Sequence, residues 1–515
     1  MASSENLSTN QSNKFPLTFW IANTMEIFER MAWYGFFAVS SLYITGAVDE
    51  GGLGFTDEDR GVLQGVSTFF LYLFPVVTGT LADRYGFKKM LFAAFTVLVP
   101  AYYLLGQFKT FPTFFLAFMF VALGAAMFKP VIIGTISTVT NDKNSSLGFG
   151  IFYMMVNIGG FAGPFVAGVM RAMDWNYVFI ASAGWIAINF IFVSLFYKEP
   201  TSEADSKNPR TLKKTLSDMV EVLGNGRFFL FVFGLLFILV MGSKFTSDDT
   251  VTWNQILMIS IVWAALNYIF DLIVKKNRES DKNWFLHPMK LGDWRFGLFL
   301  LLMSGFWTSF NQIFYTLPLY IRDFTDTSDL FSTLTGILTF VGLESWIETI
   351  KGSMAVSGQI NPEYIINVNS GGIIFFQVLV SYLVSRLKPF TTIFWGVLIT
   401  VVSFSILIFG TSGWVVFAGI MVFSFGEMMA SPKSKEYTGK IAPPGKVGMY
   451  MGYFYWCVAL GNLFGGILSG QLYGIFARDM QRPDLMWMIF ALLAFVSALV
   501  ILFYDKLIIK KMTKN

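Results

Sequence analysis

Glu26, Glu29 and Arg30 fall within Met25-Glu26-Ile27-Phe28-Glu29-Arg30-Met31-Ala32-Trp33-Tyr34-Gly35, inside an apolar run from about Phe15 to Ile44. A run of that length crosses a bilayer as one helix. Spacings of i, i+3 and i+4 put the three charged heads on one helical face. A charge at mid-bilayer costs roughly 2.5–3.5 kcal/mol on insertion scales, so three together need a polar interior and partners. An ion cluster that only locks helices together would meet that need; a proton relay beside a solute path meets it too and is the functional reading. Lys129, in Met127-Phe128-Lys129-Pro130, and Glu427, in Gly426-Glu427-Met428-Met429, lie too far from any span end to snorkel easily. If all five charges face one cavity, three acids (Glu26, Glu29, Glu427) meet two bases (Arg30, Lys129). The surplus carboxylate is then the natural proton carrier.

Such residues need a scaffold, and composition says which kind. Of 515 residues, 55% are hydrophobic, 18% aromatic and only 14% charged. A water-soluble fold of this length would have no place for so much apolar surface, whereas a membrane protein shows it to lipid. The net charge of +4 is too small to argue for a nucleic-acid partner. Cys457 is the only cysteine and His287 the only histidine, so neither an intrachain disulfide nor a histidine-based metal site is expected. No nucleophile–base pair or phosphate loop stands out, so the expectation is a non-enzyme without cofactors, with protons as the coupling ion. Residues 1–14 are Ser/Asn-rich without a basic region or cleavage pattern and are expected to form a disordered tail rather than a signal peptide.

Apolar runs predict spans near 15–44, 61–81, 89–107, 112–138, 146–170 and 177–197, then 228–243 and 251–274, then 296–320, 364–385, 390–410, 414–440, 447–476 and 486–505. The expected architecture is an all-α integral membrane protein with about fourteen spans. Its divisions are a six-helix bundle over 15–197, a linker over 198–227, an extra helix pair over 228–274, a second linker over 275–295, and a second six-helix bundle over 296–515. Within the second bundle, 322–362 is expected as an extracytoplasmic insertion whose apolar stretch from Leu330 to Ile350 forms an interfacial helix. Basic residues cluster in alternate loops (Arg84, Lys88, Lys89; Lys207, Arg210, Lys213, Lys214; Arg386, Lys388; Lys433, Lys435, Lys440, Lys446). The positive-inside rule therefore places both termini in the cytoplasm.

Gly79-Thr80-Leu81-Ala82-Asp83-Arg84-Tyr85-Gly86-Phe87-Lys88-Lys89 resembles the loop between the second and third helices of the major facilitator superfamily. Glu26-x-x-Glu29-Arg30, Phe152-Tyr153-Met154-Met155-Val156-Asn157-Ile158-Gly159-Gly160, Gly426-Glu427-Met428-Met429-Ala430-Ser431-Pro432 and Ala442-Pro443-Pro444 are together similar to the proton-dependent oligopeptide transporters (the POT or PTR family). The extra helix pair matches bacterial members. The resemblance implies a proton-coupled symporter in the cell inner membrane that imports short peptides or peptide-like solutes by alternating access. It implies proton coupling and gating by Glu26, Glu29, Arg30, Lys129 and Glu427. It implies substrate contacts from Tyr34, Tyr72, Asn157, Trp307 and Gln312. The expected partners are a peptide-like solute and membrane lipid, with no nucleic acid, and the monomer as the working unit. A proton antiporter exporting a drug or metabolite is the nearest alternative, and a non-transporting receptor the alternative of another class.

The departures from that family are informative. A second arginine is common seven residues after Arg30, where this chain has Phe37, and an acid is common before Gln312, where it has Asn311. Both positions remain expected pocket residues. With the charges missing, simple dipeptides are expected to bind poorly, and a larger, modified or less zwitterionic solute to be preferred.

Overall fold

The computed structural model describes residues 14–141, 144–200, 251–275, 294–441 and 447–504, with scattered positions between 231 and 242. The expected tail, both linkers and the span expected at 228–243 lie wholly or largely outside the described residues.

An apolar span has no water to satisfy its backbone, so each must pair its own N–H and C=O groups, and helices are the result. The first half comprises α1 (Leu17–Thr45), α2 (Asp57–Leu73), α3 (Pro75–Tyr85), α4 (Phe87–Gln107), α5 (Phe111–Val139), α6 (Ser145–Met173) and α7 (Trp175–Ile191). A π-helical turn, Phe192–Phe196, ends α7. A peripheral helix, α8 (Trp253–Lys275), carries exposed Leu257, Ile261 and Leu266, as a lipid-facing helix does. The second half comprises α9 (Trp294–Phe310), α10 (Gln312–Tyr315), α11 (Leu317–Phe324), α12 (Ser328–Phe340), α13 (Ser345–Ser353), a hairpin of β1 (Ala355–Val356) and β2 (Gln359–Ile360), α14 (Pro362–Ile366), α15 (Val368–Val384), α16 (Pro389–Leu407), α17 (Gly413–Ile441), α18 (Val447–Leu472) and α19 (Pro483–Tyr504). Twelve helical spans among the described residues are long and apolar enough to cross a membrane. The 29-residue α1 is as long but, with its three charges, is not among them.

Each half has its own aromatic core, one around Phe36, Phe95 and Phe118, the other around Phe404, Phe423 and Trp487. The halves meet along α2 and α18. Small residues make that approach possible: a methyl on Gly466 would sit 2.5 Å from Gly65 Cα, and one on Gly61 would sit 2.4 Å from the Gly466 carbonyl. Close backbone packing of this kind replaces the hydrophobic drive that lipid cannot supply.

Three expected elements differ. The span expected at 61–81 begins at Asp57, where the Thr56 hydroxyl accepts from the Asp59 N–H at 3.1 Å, and breaks at Pro75. Proline has no N–H to donate and restarts the helix at its first turn. The span expected at 296–320 is three pieces, with breaks at Asn311 and Thr316 and Pro318 opening α11. The stretch 330–350 is two helices, α12 and α13, separated at Gly342, whose φ of 75° only glycine adopts readily.

Candidate functional site between the halves

The charged face of α1 packs on α6. A methyl on Gly159 would meet Arg30 Cβ and the Ile27 carbonyl, each at 2.6 Å, and one on Gly163 would meet the Met31 carbonyl at 2.6 Å. The glycines of the Phe152–Gly160 stretch and its continuation therefore let the cluster lie against a second wall. There Arg30 Nε stands 3.1 Å from Glu26 Oε1 while its Nη2 contacts Glu29 Oε2. Glu29 is fully buried and its two partners nearly so. One guanidinium thus serves two carboxylates, and the cluster carries a local surplus of one negative charge when all three are ionised. The Arg30 guanidinium lies 5.9 Å from the Tyr34 ring, and the Lys129 ammonium lies 4.3 Å from the Tyr72 ring. Tyr72 in turn stacks on Tyr455 of the opposite half, with centroids 6.2 Å apart.

In front of these tyrosines is a cavity of about 90 Å³ between the halves. Tyr34, Phe37, Tyr72 and Asn157 line it from the first half, and Asn311 and Glu427 from the second. Phe37 is stacked on Trp33 at 4.9 Å and meets Tyr315 edge-on at 5.6 Å. Glu427 Oε2 accepts from Asn369 Nδ2 at 2.9 Å. The volume is below the roughly 300–1,000 Å³ of most ligand pockets, so the halves are drawn tightly together here.

Six of the expected site residues thus share one cavity, and Glu26, Glu29, Arg30 and Lys129 form a charged layer associated with its tyrosines. Trp307 and Gln312 do not line it. Trp307 packs on Phe306 and Phe310, and Gln312 ties α10 to α18 through the Gly465 carbonyl at 3.1 Å. Both pack between helices here.

Sequence reasoning missed Asn369 and Asn462, which also line the cavity, and Tyr315, whose hydroxyl donates to Asn462 Oδ1 at 2.8 Å. It also missed a set of links at the end of the bundle that carries residues 46–56 and 322–362. Arg171 Nη1 of α6 bonds Glu363 Oε2 of α14 at 2.7 Å, and Arg478 Nε bonds Asp57 Oδ2 of α2 at 2.6 Å. Buried Arg60 donates to the Tyr315 carbonyl at 2.9 Å and to Ser469 Oγ at 3.0 Å. These links seal one mouth.

Lys435 is expected from the sequence as a loop charge. It lies inside α17 and is half-buried. Of the five charges expected to face one cavity, only Glu427 lines it, and the surplus carboxylate is local to the α1 cluster, where two carboxylates share one guanidinium.

The sequence profile of the Major Facilitator Superfamily matches residues 24–360 and 345–511. A multi-pass, two-halved helical bundle with its site at the seam is the architecture of a membrane transporter, and the chain belongs to that superfamily. Within it, the chain is similar to proteins named as peptide transporters. A peptide transporter of Yersinia enterocolitica is 23% identical over 482 residues, covering 87% of this chain and 86% of the relative. A di-/tripeptide transporter of Lactococcus lactis is 27% identical over 221 residues, covering 40% of this chain and 44% of the relative. The fold matches a POT family transporter solved with 5-aminolevulinic acid, at a TM-score of 0.69 and 17% identity, over 95% of this chain and 96% of the other.

Proposed function

We propose that this chain imports short peptides or peptide-like solutes together with protons, by alternating access of the two halves around the central cavity. The observation that carries this reading is the pairing of one arginine with two carboxylates behind Tyr34, which itself lines the cavity. A proton added to either carboxylate releases that acid from its ion pair and leaves the other in a one-to-one pair with Arg30. Proton binding and the shape of the cavity wall are thereby linked through a single helix.

The relatives named as peptide transporters support the substrate class. Glu427, held by Asn369, offers an acceptor for a solute amine, and the aromatic walls offer apolar and cation–π surface. The basic loops support a reading in which the sealed mouth faces outward and both termini lie in the cytoplasm, with the conformation closed to the exterior. The test is counterflow in proteoliposomes: labelled solute should enter vesicles preloaded with competing di- and tripeptides and not vesicles preloaded with sugars. Equal entry into both, or none into either, would defeat the substrate assignment.

A further inference from the structure

The insertion between α11 and α14 folds around a second pocket, of about 270 Å³, which shares no residue with the central cavity. Leu334 and Ile337 of α12, Ile350 of α13, Tyr364 and Ile365 of α14 and Trp414 at the start of α17 are among its walls. No charged side chain lines it, and the hydroxyl of Thr333 in its wall donates to the Asp329 carbonyl at 2.9 Å. Along its 13 residues α12 has none that is buried. Its first turn is pinned, because the Asp329 carboxylate accepts from Ser412 Oγ at 2.5 Å and from the Trp414 N–H at 3.3 Å. Its other end runs into Phe340, which is 90% exposed, and into exposed Val341 and Leu343. Two of the pocket's walls are the first turns of membrane-crossing spans, Pro362–Val384 and Gly413–Ile441. The pocket therefore lies where those spans leave the hydrocarbon, and exposed Trp414 stands where indoles gather at a bilayer surface.

Apolar cavities of roughly 150 Å³ stay dry and take a benzene-sized guest, so this one has room for a longer stretch of hydrocarbon. A polar solute finds no charged partner there, whereas a lipid chain from the adjoining bilayer loses nothing on entering and covers surface that water would leave exposed. We propose that the pocket is a lipid site: one acyl chain of a phospholipid in the adjoining leaflet enters beside α12 and braces α14 against α6. The link to α6 runs through Tyr364. Its ring meets Phe165 of α6 edge-on at 5.6 Å, and a methyl on Gly168 of α6 would touch its hydroxyl at 2.4 Å. Glu363, the preceding residue, pairs with Arg171 of α6 at 2.7 Å. A chain that fills the pocket thus supports the wall carrying the ion pair that closes this mouth, and binding there favours the closed conformation.

The experiment uses purified full-length protein in nanodiscs of phosphatidylcholine that carries a photoactivatable diazirine in one acyl chain, with the labelled residues mapped by mass spectrometry. Ile350 and Ile365 are 8% and 3% exposed, so a chain must be inside the pocket to reach them, whereas exposed Phe375 and Val378 of α15 report ordinary lipid contact. In the unaltered protein all four should be labelled. Leu334→Trp fills the pocket and Leu334→Asp places a carboxylate in it; each should abolish labelling of Ile350 and Ile365 and spare Phe375 and Val378. Absence of label at Ile350 and Ile365 in the unaltered protein, or undiminished label there in both variants, overturns the site. Labelling of those two residues by photoactivatable palmitate and not by the phospholipid overturns its assignment to a bilayer lipid. Spin labels on the exposed ends of α6 and α14 test the brace: the separation should lengthen in Leu334→Asp and stay short in Leu334→Trp. Equal separations in Leu334→Asp and the unaltered protein refute the brace. Should either variant not fold, Ile337→Trp and Ile337→Asp are read by the same criteria.

Discussion

Arg171 of α6 and Glu363 of α14 meet across the two halves at 2.7 Å, with the glutamate fully buried and the arginine partly exposed. Tyr364, next along the chain, packs so closely on α6 that a methyl on Gly168 would touch its hydroxyl at 2.4 Å. Together they fasten the mouth expected to face outward.

Removing one partner of such a pair leaves a buried charge alone and costs about 3–5 kcal/mol, the low end applying where one partner is partly exposed. Arg171→Ala should therefore favour the conformation open at that mouth. Spin labels placed on the exposed ends of α6 and α14 should report longer separations, and Arg171→Ala with Glu363→Gln should recover part of the change. Unaltered distances in the single variant would show that the pair does not hold the mouth shut.

Gly466 makes a sharper test of the same closure. A leucine there would drive its side chain into the backbone of α2 at Gly61 and Gly65. Gly466→Leu should lower thermal stability and make residues of the 57–65 stretch reactive to membrane-impermeant reagents through introduced cysteines. Labelling no faster than in the unaltered background would contradict the close seam.

Glu427 should matter for the amine end of the solute. Glu427→Gln removes the charge while keeping a hydrogen-bonding head beside Asn369. Amine-bearing solutes should then bind roughly tenfold more weakly, by the worth of a charge-assisted hydrogen bond, while N-acetylated analogues change little. Equal losses for both classes would make Glu427 a packing residue.

The insertion between α11 and α14 is anchored through Asp326, whose side chain accepts from Gln359 Nε2 at 2.8 Å and from the Ser328 N–H at 3.0 Å. These bonds hold its carboxyl down at about 2. A carboxyl depressed in the folded state stabilises above the ordinary carboxylate range and loses that contribution as pH falls towards 2. Amide protection in residues 328–360, corrected for the intrinsic pH dependence of exchange, should therefore be unchanged between pH 7 and 5, and lower in Asp326→Ala at both. A variant that exchanges like the unaltered protein would remove Asp326 from the anchor.

Much of this was legible in the chain because bilayer physics is strict. A run of about twenty apolar residues admits few structures, so the spans could be read off directly, and three charges at i, i+3 and i+4 share a face in any helix. What escaped depends on partners far away in sequence. Arg171 and Glu363 are 192 residues apart, and Asn462 becomes a cavity residue only through the approach of α18 to α2. Lys435 lies in a lysine-rich stretch that reads as a cytoplasmic anchor; its inward placement depends on α17 continuing as helix to Ile441. Gln312 and Trp307 show the converse, since residue type alone does not distinguish a helix-packing amide or indole from one that faces a solute.

The central claim is that the Glu26–Glu29–Arg30 cluster ties proton movement to solute movement. The measurement that reaches it most directly is solute accumulation in proteoliposomes under an inward proton gradient, set beside counterflow without a gradient, for the unaltered protein, Glu26→Gln and Glu29→Gln. The account predicts accumulation above equilibrium in the unaltered protein, its loss in both variants, and counterflow preserved in all three. Full gradient-driven accumulation in both variants would contradict it.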